Sequence, residues 1–372
     1  MKGWGAQIEE RFDGVERIAV LRGGGLGDLL FALPAIDALA AAYPGAEIEL
    51  LGTPLHRALL EGRPGPVTRV EILPRAKGVY GDVDDPLAIE LFRDHMRTDG
   101  IDLACQLHGG GRFSNPFLLS LGARHTVGTR TEDAAPLERS LPYRYYQHEV
   151  FRWLETVALA GAASLGHEPR VEVRETERLG ALDLLGAGPE PLVVVHPGAT
   201  DPRRRWPAER FAEIAGRCAG EGLRVVVVGD GTDAAAGEAI AAGAGAGDAV
   251  VSLAGRLSLG ELAGLLAVAD VFVGNDSGPR HLAQAVGTAT VGLFWFGNLV
   301  NGGPMTRARQ RVHLSFTTHC PVCGRDVTQV GWVAERCEHD PSFLTGIDVD
   351  AVYDDVRDLA VTATRALLPG RR

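Results

Sequence analysis

Short runs of apolar, mostly β-branched residues punctuate the chain, and between them apolar side chains recur every three or four positions. In the first half Ile18–Leu21, Ile48–Leu51, Val67–Leu73 and Ile101–Leu107 read as strands, with helices over Asp28–Ala42 and around Pro86–Met96. In the second half Leu192–Val195, Val225–Val228, Val250–Leu253, Asp270–Val273 and Thr290–Phe294 read as strands. Helical patterns there begin near Pro207, Thr232, Ser258 and Pro279, and Ser258-Leu-Gly-Glu261 is a capping box. Strand runs without polar alternation are covered on both faces, as in parallel sheets. The alternation of strand and helix therefore predicts α/β, doubly wound parallel sheets, arranged as two Rossmann-like domains. The segment Val171–Pro191, charged and then rich in Gly and Pro, is the expected linker. The domains are expected at residues 1–175 and 188–348, and residues 349–372 read as one helix with a basic tail. Ligands in such sheets bind at the switch point, so the two domains are expected to face a central cleft.

Composition narrows the class. A length of 372 residues suits two domains, and 45% hydrophobic with 23% charged residues leaves ample core. The net charge of −11 argues against a nucleic-acid partner. The start, with Gln-Ile-Glu-Glu-Arg-Phe-Asp over residues 7 to 13, does not read as a secretory signal. No window has the ~18 uncharged apolar residues of a membrane span. The five cysteines are unevenly spaced and do not form a disulfide framework. The expected location is the cytoplasm, with room for work at the inner face of a membrane.

The candidate chemistry sits where strands end. After Val273 the chain reads Gly274-Asn275-Asp276-Ser277-Gly278, and a helix opens at Pro279. Free N–H groups and a positive helix end there suit a phosphate, although a plain N-cap by Ser277 or Asp276 describes most such turns. Gly23-Gly24-Gly25-Leu26-Gly27-Asp28 also follows a strand, but the dinucleotide spacing fails, because the third glycine would fall on Asp28. Asp28 is then either a complement to the helix dipole or a general base. His196 to Trp206 carries Arg203, Arg204 and Arg205 just beyond a strand, where guanidinium groups can grip a diphosphate, and Thr200 could donate from the same loop.

Three of these segments, in order, resemble glycosyltransferase family 9, the ADP-heptose:lipopolysaccharide heptosyltransferases. They are Arg17–Ile36, His196–Glu209 and Asp276-Ser277-Gly278-Pro279-x-His281-Leu282-Ala283-x-Ala285-x-Gly287. The resemblance implies the GT-B architecture, with an N-terminal acceptor domain, a C-terminal nucleotide-sugar domain and a final helix packing back on the first. It implies Asp28 as the catalytic base. It implies donor contacts from Thr200, Arg204, Arg205, Asp276, Ser277, Gly278 and His281. The family commonly has Lys at the position of Arg204, which leaves open whether Arg204 or Arg205 makes the main contact.

The implied reaction is inverting transfer of a heptose from ADP-heptose to a saccharide or glycolipid hydroxyl of lipopolysaccharide type. No cofactor is expected for catalysis. Another nucleotide-sugar and another glycan, or a non-catalytic sugar-nucleotide-binding relative, are the alternatives. Arg112 and Asn115, beyond the strand Ile101–Leu107, are the acceptor candidates. Separately, Cys320, Cys323, Cys337 and His339 have the residue types of a structural zinc or iron site, with His313 and His319 as spare ligands. That knuckle is expected after the last strand of the donor sheet, apart from Asp28 and the arginine loop.

Overall fold

The apolar runs form two six-stranded sheets in which every pair of neighbours is parallel. The computed structural model describes residues 8–186, 188, 190–328 and 335–366. The chain divides into two compact units, residues 1–172 and 173–372. The basic tail expected at the C-terminus lies outside the described residues.

The first unit contains β1 (Arg17–Leu21), α1 (Leu26–Ala42), β2 (Glu47–Gly52), α2 (Pro54–Leu60), β3 (Val67–Ile72) and α3 (Pro86–Asp99). It continues with β4 (Leu103–Gln106), α4 (Ser114–Leu119), β5 (His125–Arg130), β6 (Arg139–Pro142) and α5 (Glu149–Ala158). The sheet order is β3-β2-β1-β4-β5-β6, so the winding reverses between β1 and β4. Helix α1 buries residues nearly all round, from Leu29 and Leu30 to Ile36 and Leu39, and packs against α5 and α2. Strands β5 and β6 and helix α5 were not expected from the sequence. Polar residues such as His125, Thr126, Arg139 and Ser140 obscure the strand pattern there.

The second unit contains α6 (Glu175–Leu185), β7 (Leu192–His196), α7 (Ala208–Gly220), β8 (Arg224–Val227), α8 (Ala234–Ala244) and β9 (Val250–Ser252). There follow α9 (Leu259–Val268), β10 (Val271–Asn275), α10 (Gly278–Ala285), β11 (Ala289–Trp295), α11 (Phe296–Gly302), β12 (Gln310–Ser315) and α12 (Val349–Ala366). The order β12-β11-β10-β7-β8-β9 puts the switch point between β7 and β10.

Two expectations change. The segment expected to be a linker holds α6, which packs on α9; the Glu177 carboxylate accepts from the Arg174 N–H at 3.0 Å to start that helix. The last helix, expected on the first domain, lies on α7, β10 and β11 of its own unit. Its apolar face supplies Val352, Tyr353, Val356 and Leu359 to that unit's core.

Close approach of α6 and α9 depends on Gly264, where an added Cβ would meet the Glu177 carbonyl oxygen at 2.1 Å. Alanine is the better helix former by about 1 kcal/mol. Even so, Gly264→Ala is expected to destabilise by ~1–3 kcal/mol, because a rigid backbone oxygen must move. Gly180 in α6 has open space at its Cβ position, so Gly180→Ala should stabilise by up to about 1 kcal/mol. Urea unfolding of both variants checks the pair. Equal stability of Gly264→Ala and wild type would rule out the packing described.

Candidate functional site

In the first unit the loop after β1 carries Arg22 and the three glycines Gly23 to Gly25 into α1. Gly25 is the N-cap residue, and Asp28 in the first turn accepts from the Gly25 N–H through Oδ2 at 2.8 Å. Its other oxygen, Oδ1, accepts from Arg22 Nη2 at 2.8 Å. The carboxylate is half-exposed. It is therefore a helix-capping group and, at the same time, an accessible carboxylate held in one orientation.

Arg22 is the group the sequence reading passed over. It is buried, with 3% of its side chain exposed. It also donates to Asp28 O (2.8 Å), Leu107 O (2.7 Å) and Glu149 Oε2 (3.1 Å), and its guanidinium lies 4.8 Å from the Trp153 ring. Burial pushes its pKa down, against the pull of Asp28. Two histidines fix the same loop. His108 Nδ1 accepts from the Gly23 N–H at 3.2 Å, and its Nε2 lies 3.2 Å from Gly78 O. His56 Nδ1 accepts from the Thr53 N–H at 3.2 Å, and its Nε2 lies 3.2 Å from Gly25 O. Both rings thus need the Nε2–H tautomer. Burial, with help from the Arg22 charge, pushes each down to about 4.

The acceptor candidates separate. Arg112 is exposed, 3.4 Å from Asp133, and stacked near Phe113. Asn115, expected to meet an acceptor, is instead fully buried. Its amide donates to Thr129 O (3.2 Å) and Ala135 O (2.9 Å), which ties α4 to the chain beyond β5.

In the second unit β7 and β10 end side by side, with His196 in register with Gly274. Asn275 locks the two following loops together: it accepts from the Trp206 N–H at 3.0 Å and donates to Pro197 O at 2.7 Å. Asp276 is buried, yet both its oxygens are engaged. His281 Nε2 lies 3.1 Å from Oδ1, while Asn298 Nδ2 (2.7 Å) and Arg204 Nη1 (3.2 Å) reach Oδ2. Burial alone would raise its pKa, but the His281 hydrogen bond and the charges of His281, Arg204 and Arg280 bring it down to about 2. Arg280, fully buried and pushed down to about 10 by that burial, donates to His281 Nδ1 at 2.6 Å. Asp276 is expected among the donor contacts; its carboxylate is first an anchor for Arg204 and His281.

The three arginines differ. Arg203 is buried and bound to Asp201 through Nε at 3.0 Å and Nη2 at 2.5 Å. Arg204 is anchored on Asp276. Arg205 donates through Nε to Ala199 O at 2.8 Å and is otherwise exposed, as is Thr200. Ser277 occupies the N-cap of α10 without capping it; its hydroxyl lies 3.1 Å from both His196 Nδ1 and Asn275 O. The first N–H groups of α10, beginning at Gly278, therefore have no side-chain cap.

The cysteine segment is not apart from this loop, as expected, but against it. Ser342 Oγ donates to Arg205 O at 2.5 Å, the Phe343 N–H donates to Arg203 O at 2.7 Å, and Arg336 lies 3.6 Å from Asp201. Cys320, Cys323, Cys337 and His339 bring their ligand atoms within 4.8 Å of one another. His339 Nδ1 is buried and makes no hydrogen bond. Backbone N–H groups of Cys323 and Val322 point at the Cys320 sulfur and, against some burial, bring its thiol to about 7. Three thiols and an unpaired imidazole nitrogen fit a tetrahedral metal ion. His313 is engaged elsewhere, 2.9 Å from Asp355.

Two parallel doubly wound units, each gathering polar side chains at its switch point, are the GT-B architecture of glycosyltransferases. The family model of glycosyltransferase family 9 (heptosyltransferase) matches residues 93–328, and the chain belongs to that family. It is a glycosyltransferase. Lipopolysaccharide heptosyltransferase 2 of Salmonella typhimurium is 27% identical over 293 residues, which cover 75% of this chain and 82% of that protein. The solved E. coli ADP-heptose lps heptosyltransferase II has a similar fold, with a TM-score of 0.73 and 22% identity, covering 93% of this chain and 99% of that one. The bacterial iron-containing dodecameric glycosyltransferase TibC from enterotoxigenic E. coli is similar at a TM-score of 0.54 and 14% identity, covering 94% and 80% of the two chains. Among the described residues no helix is long and apolar enough to cross a membrane.

The two neutral histidines make the first unit acid-sensitive. Their folded pKa values of about 4 lie below the ordinary 6.5. Between those values the unfolded chain binds more protons, so stability is full above pH 6.5 and falls as pH drops towards 4. The loss is up to roughly 3 kcal/mol for His56 and less for the partly exposed His108. Urea unfolding from pH 7.5 to 4.5 should show a shallower decline in His56→Asn with His108→Asn. An unchanged slope would mean that both rings are already protonated in the folded state.

Proposed function

We propose that this glycosyltransferase moves a heptose from ADP-heptose, with inversion, onto a hydroxyl of a saccharide or lipopolysaccharide-type glycolipid. The observation that carries the reading is the second unit's switch point, where an exposed Arg205, an anchored Arg204 and the uncapped start of α10 come together. Guanidinium groups and helix N–H groups are what a leaving diphosphate requires, and they remove the need for a catalytic divalent metal. Thr200, Ser277 and Gly278 belong to the same donor surface. His281 acts through Asp276, whose orientation it sets. Membership of a heptosyltransferase family supports the heptose, and the likeness to the E. coli ADP-heptose lps heptosyltransferase II supports the ADP.

In the proposed step the acceptor oxygen attacks the anomeric carbon as the bond from that carbon to the phosphate oxygen breaks. Asp28 takes the acceptor proton, and the arginines offset the charge left on ADP. Arg22 keeps the carboxylate aimed through two contacts on the same residue. Arg112 is the remaining acceptor-side candidate, exposed and able to meet an anionic group. The protein works in the cytoplasm, at the inner face of the membrane that presents the acceptor.

Cys320, Cys323, Cys337 and His339 would hold a structural zinc or iron ion. The ion would order the late loops and would supply no chemistry at the sugar.

Asp28→Asn should lower turnover by ~10²-fold or more, as loss of a general base does. Calorimetric ADP affinity should stay within a few-fold of wild type. Turnover within a few-fold of wild type would reduce Asp28 to a capping residue. A thermal-shift panel of nucleotide diphosphates and nucleotide-sugars tests the donor. Stabilisation by a uridine or guanosine diphosphate sugar, with none by ADP or ADP-heptose, would replace the adenine reading.

A further inference from the structure

We infer that the cysteine–histidine site is a clamp on the arginine loop, so that metal occupancy sets the enzyme's affinity for the nucleotide diphosphate. This rests on the reading of Asp201–Arg205 as the diphosphate loop. The chain leaving the site runs straight onto that loop. Ser342 lies five positions beyond Cys337 and three beyond His339, and it holds Arg205 by its carbonyl. Phe343 holds the Arg203 carbonyl, and its ring faces the Arg203 guanidinium at 5.3 Å. Arg336, beside Cys337, reaches Asp201 at 3.6 Å, the same carboxylate that orients Arg203. Three residues of the loop are thus gripped from one segment of nine residues, 336 to 344.

The far end of that segment is anchored in the main core by Leu344 and Ile347, but the stretch before Phe343, which carries Cys337 and His339, has little to hold it among the described residues. From Phe316 to Thr328 and from Glu335 to Asp348 the described residues form no helix or strand, only an isolated bridge between His319 and Asp326. Apolar support comes from a small cluster of Cys320, Val327, Cys337 and Phe343 with Trp295 against it. Thr317 accepts from Trp295 Nε1 at 2.7 Å and donates to Phe343 O at 2.9 Å. Two of the four buried members are themselves candidate ligands. Ordering the chain before Phe343 costs conformational entropy that so small a cluster offsets only in part. Joining Cys320 and Cys323 to Cys337 and His339 through one ion closes the loop between them, and the buried, unpaired His339 Nδ1 gains its partner.

A loop ordered beforehand does not charge its ordering to the ligand, so loss of the ion should appear as loss of affinity. The test uses full-length protein without a histidine tag. Metal content is measured by mass spectrometry and ADP affinity by calorimetry, for protein as purified, after chelation, and after reloading with zinc. Wild type should carry about one transition-metal ion per chain. Chelation, and separately Cys337→Ser, should weaken ADP by about tenfold with unchanged circular dichroism, and zinc should restore the chelated wild type only. Ser342→Ala should keep its metal and still weaken ADP by about threefold, because it cuts the link and leaves the site. If Cys337→Ser does not fold, Cys323→Ser, at the exposed ligand, takes its place.

Less than ~0.1 equivalent of metal in wild type would overturn the inference, since a closed thiolate site keeps its ion through purification. ADP affinity unchanged by chelation would overturn it too, provided Arg205→Ala weakens ADP. An Arg205→Ala variant that binds ADP like wild type would instead remove the donor reading, and the clamp with it.

Discussion

A carboxylate cannot stay ionised in a protein interior without cations or donors around it, and Asp276 obtains them from three directions. Arg204 comes from the loop after β7, His281 from α10 and Asn298 from α11. Each segment is therefore positioned by one buried group at the end of β10. Arg280 extends the arrangement, because its donation to His281 Nδ1 commits the imidazole to offer Nε2–H to Asp276. Removing Asp276 would leave Arg204 and His281 without their common partner and Arg280 without its nearest opposite charge. The loops at the switch point of this unit are tied together by these charge pairs, above strands whose apolar side chains are buried in the core.

The first unit solves the same problem with the signs reversed. Its buried ion is Arg22, and the carboxylates of Asp28 and Glu149 come to it. Because Arg22 is followed by three glycines, the loop beyond it brings no side chains of its own for rigidity. His56 and His108 supply that rigidity from α2 and the β4 exit. Gly23 shows how tight the fit is: a Cβ there would meet Val79 O at 2.1 Å and the His108 ring at 3.0 Å. The accessible carboxylate of Asp28 is thus held by groups that are buried, and an enzyme that needs a base in one orientation gains by such support.

Central strands were legible from the chain because a parallel sheet buries both faces and writes a continuous apolar run, as in Leu192–Val195 and Val271–Val273. Of the edge strands, β3 and β9 were expected, whereas β6 and β12 were not. Strand β6, Arg-Ser-Leu-Pro, lies at the sheet edge and needs little apolar character. Helix α6 hid in a charged segment because only Ala181 along it is buried. At the sites, the glycine turn, the arginine loop and the four candidate metal-ligand residues could be read from residue type and spacing. Arg22, His56, Arg280 and Asn298 could not, since each acts through a partner distant in sequence or through backbone atoms. Asn115 shows the converse error: a polar residue beyond a strand end looks like a ligand contact until its amide is found spent on two carbonyls.

The anchoring of Arg204 also bears on its departure from the Lys common in the family. A lysine ammonium is a compact charge, and a single contact with Asp276 would hold most of it. A guanidinium presents several N–H donors in a plane, so Arg204 can spend Nη1 on Asp276 and still present donors on its other edge. On the donor reading, Arg204 both neutralises the buried carboxylate and faces the diphosphate, while Arg205 contributes charge alone from a more exposed position. The two arginines then have different dependences. Arg204 is set by Asp276, a side chain in the same strand-end cluster. Arg205 is set by its Nε bond to Ala199 O and by the Ser342 hydroxyl on its carbonyl. The late cysteine segment thus bears most directly on the arginine that has no carboxylate of its own to fix it.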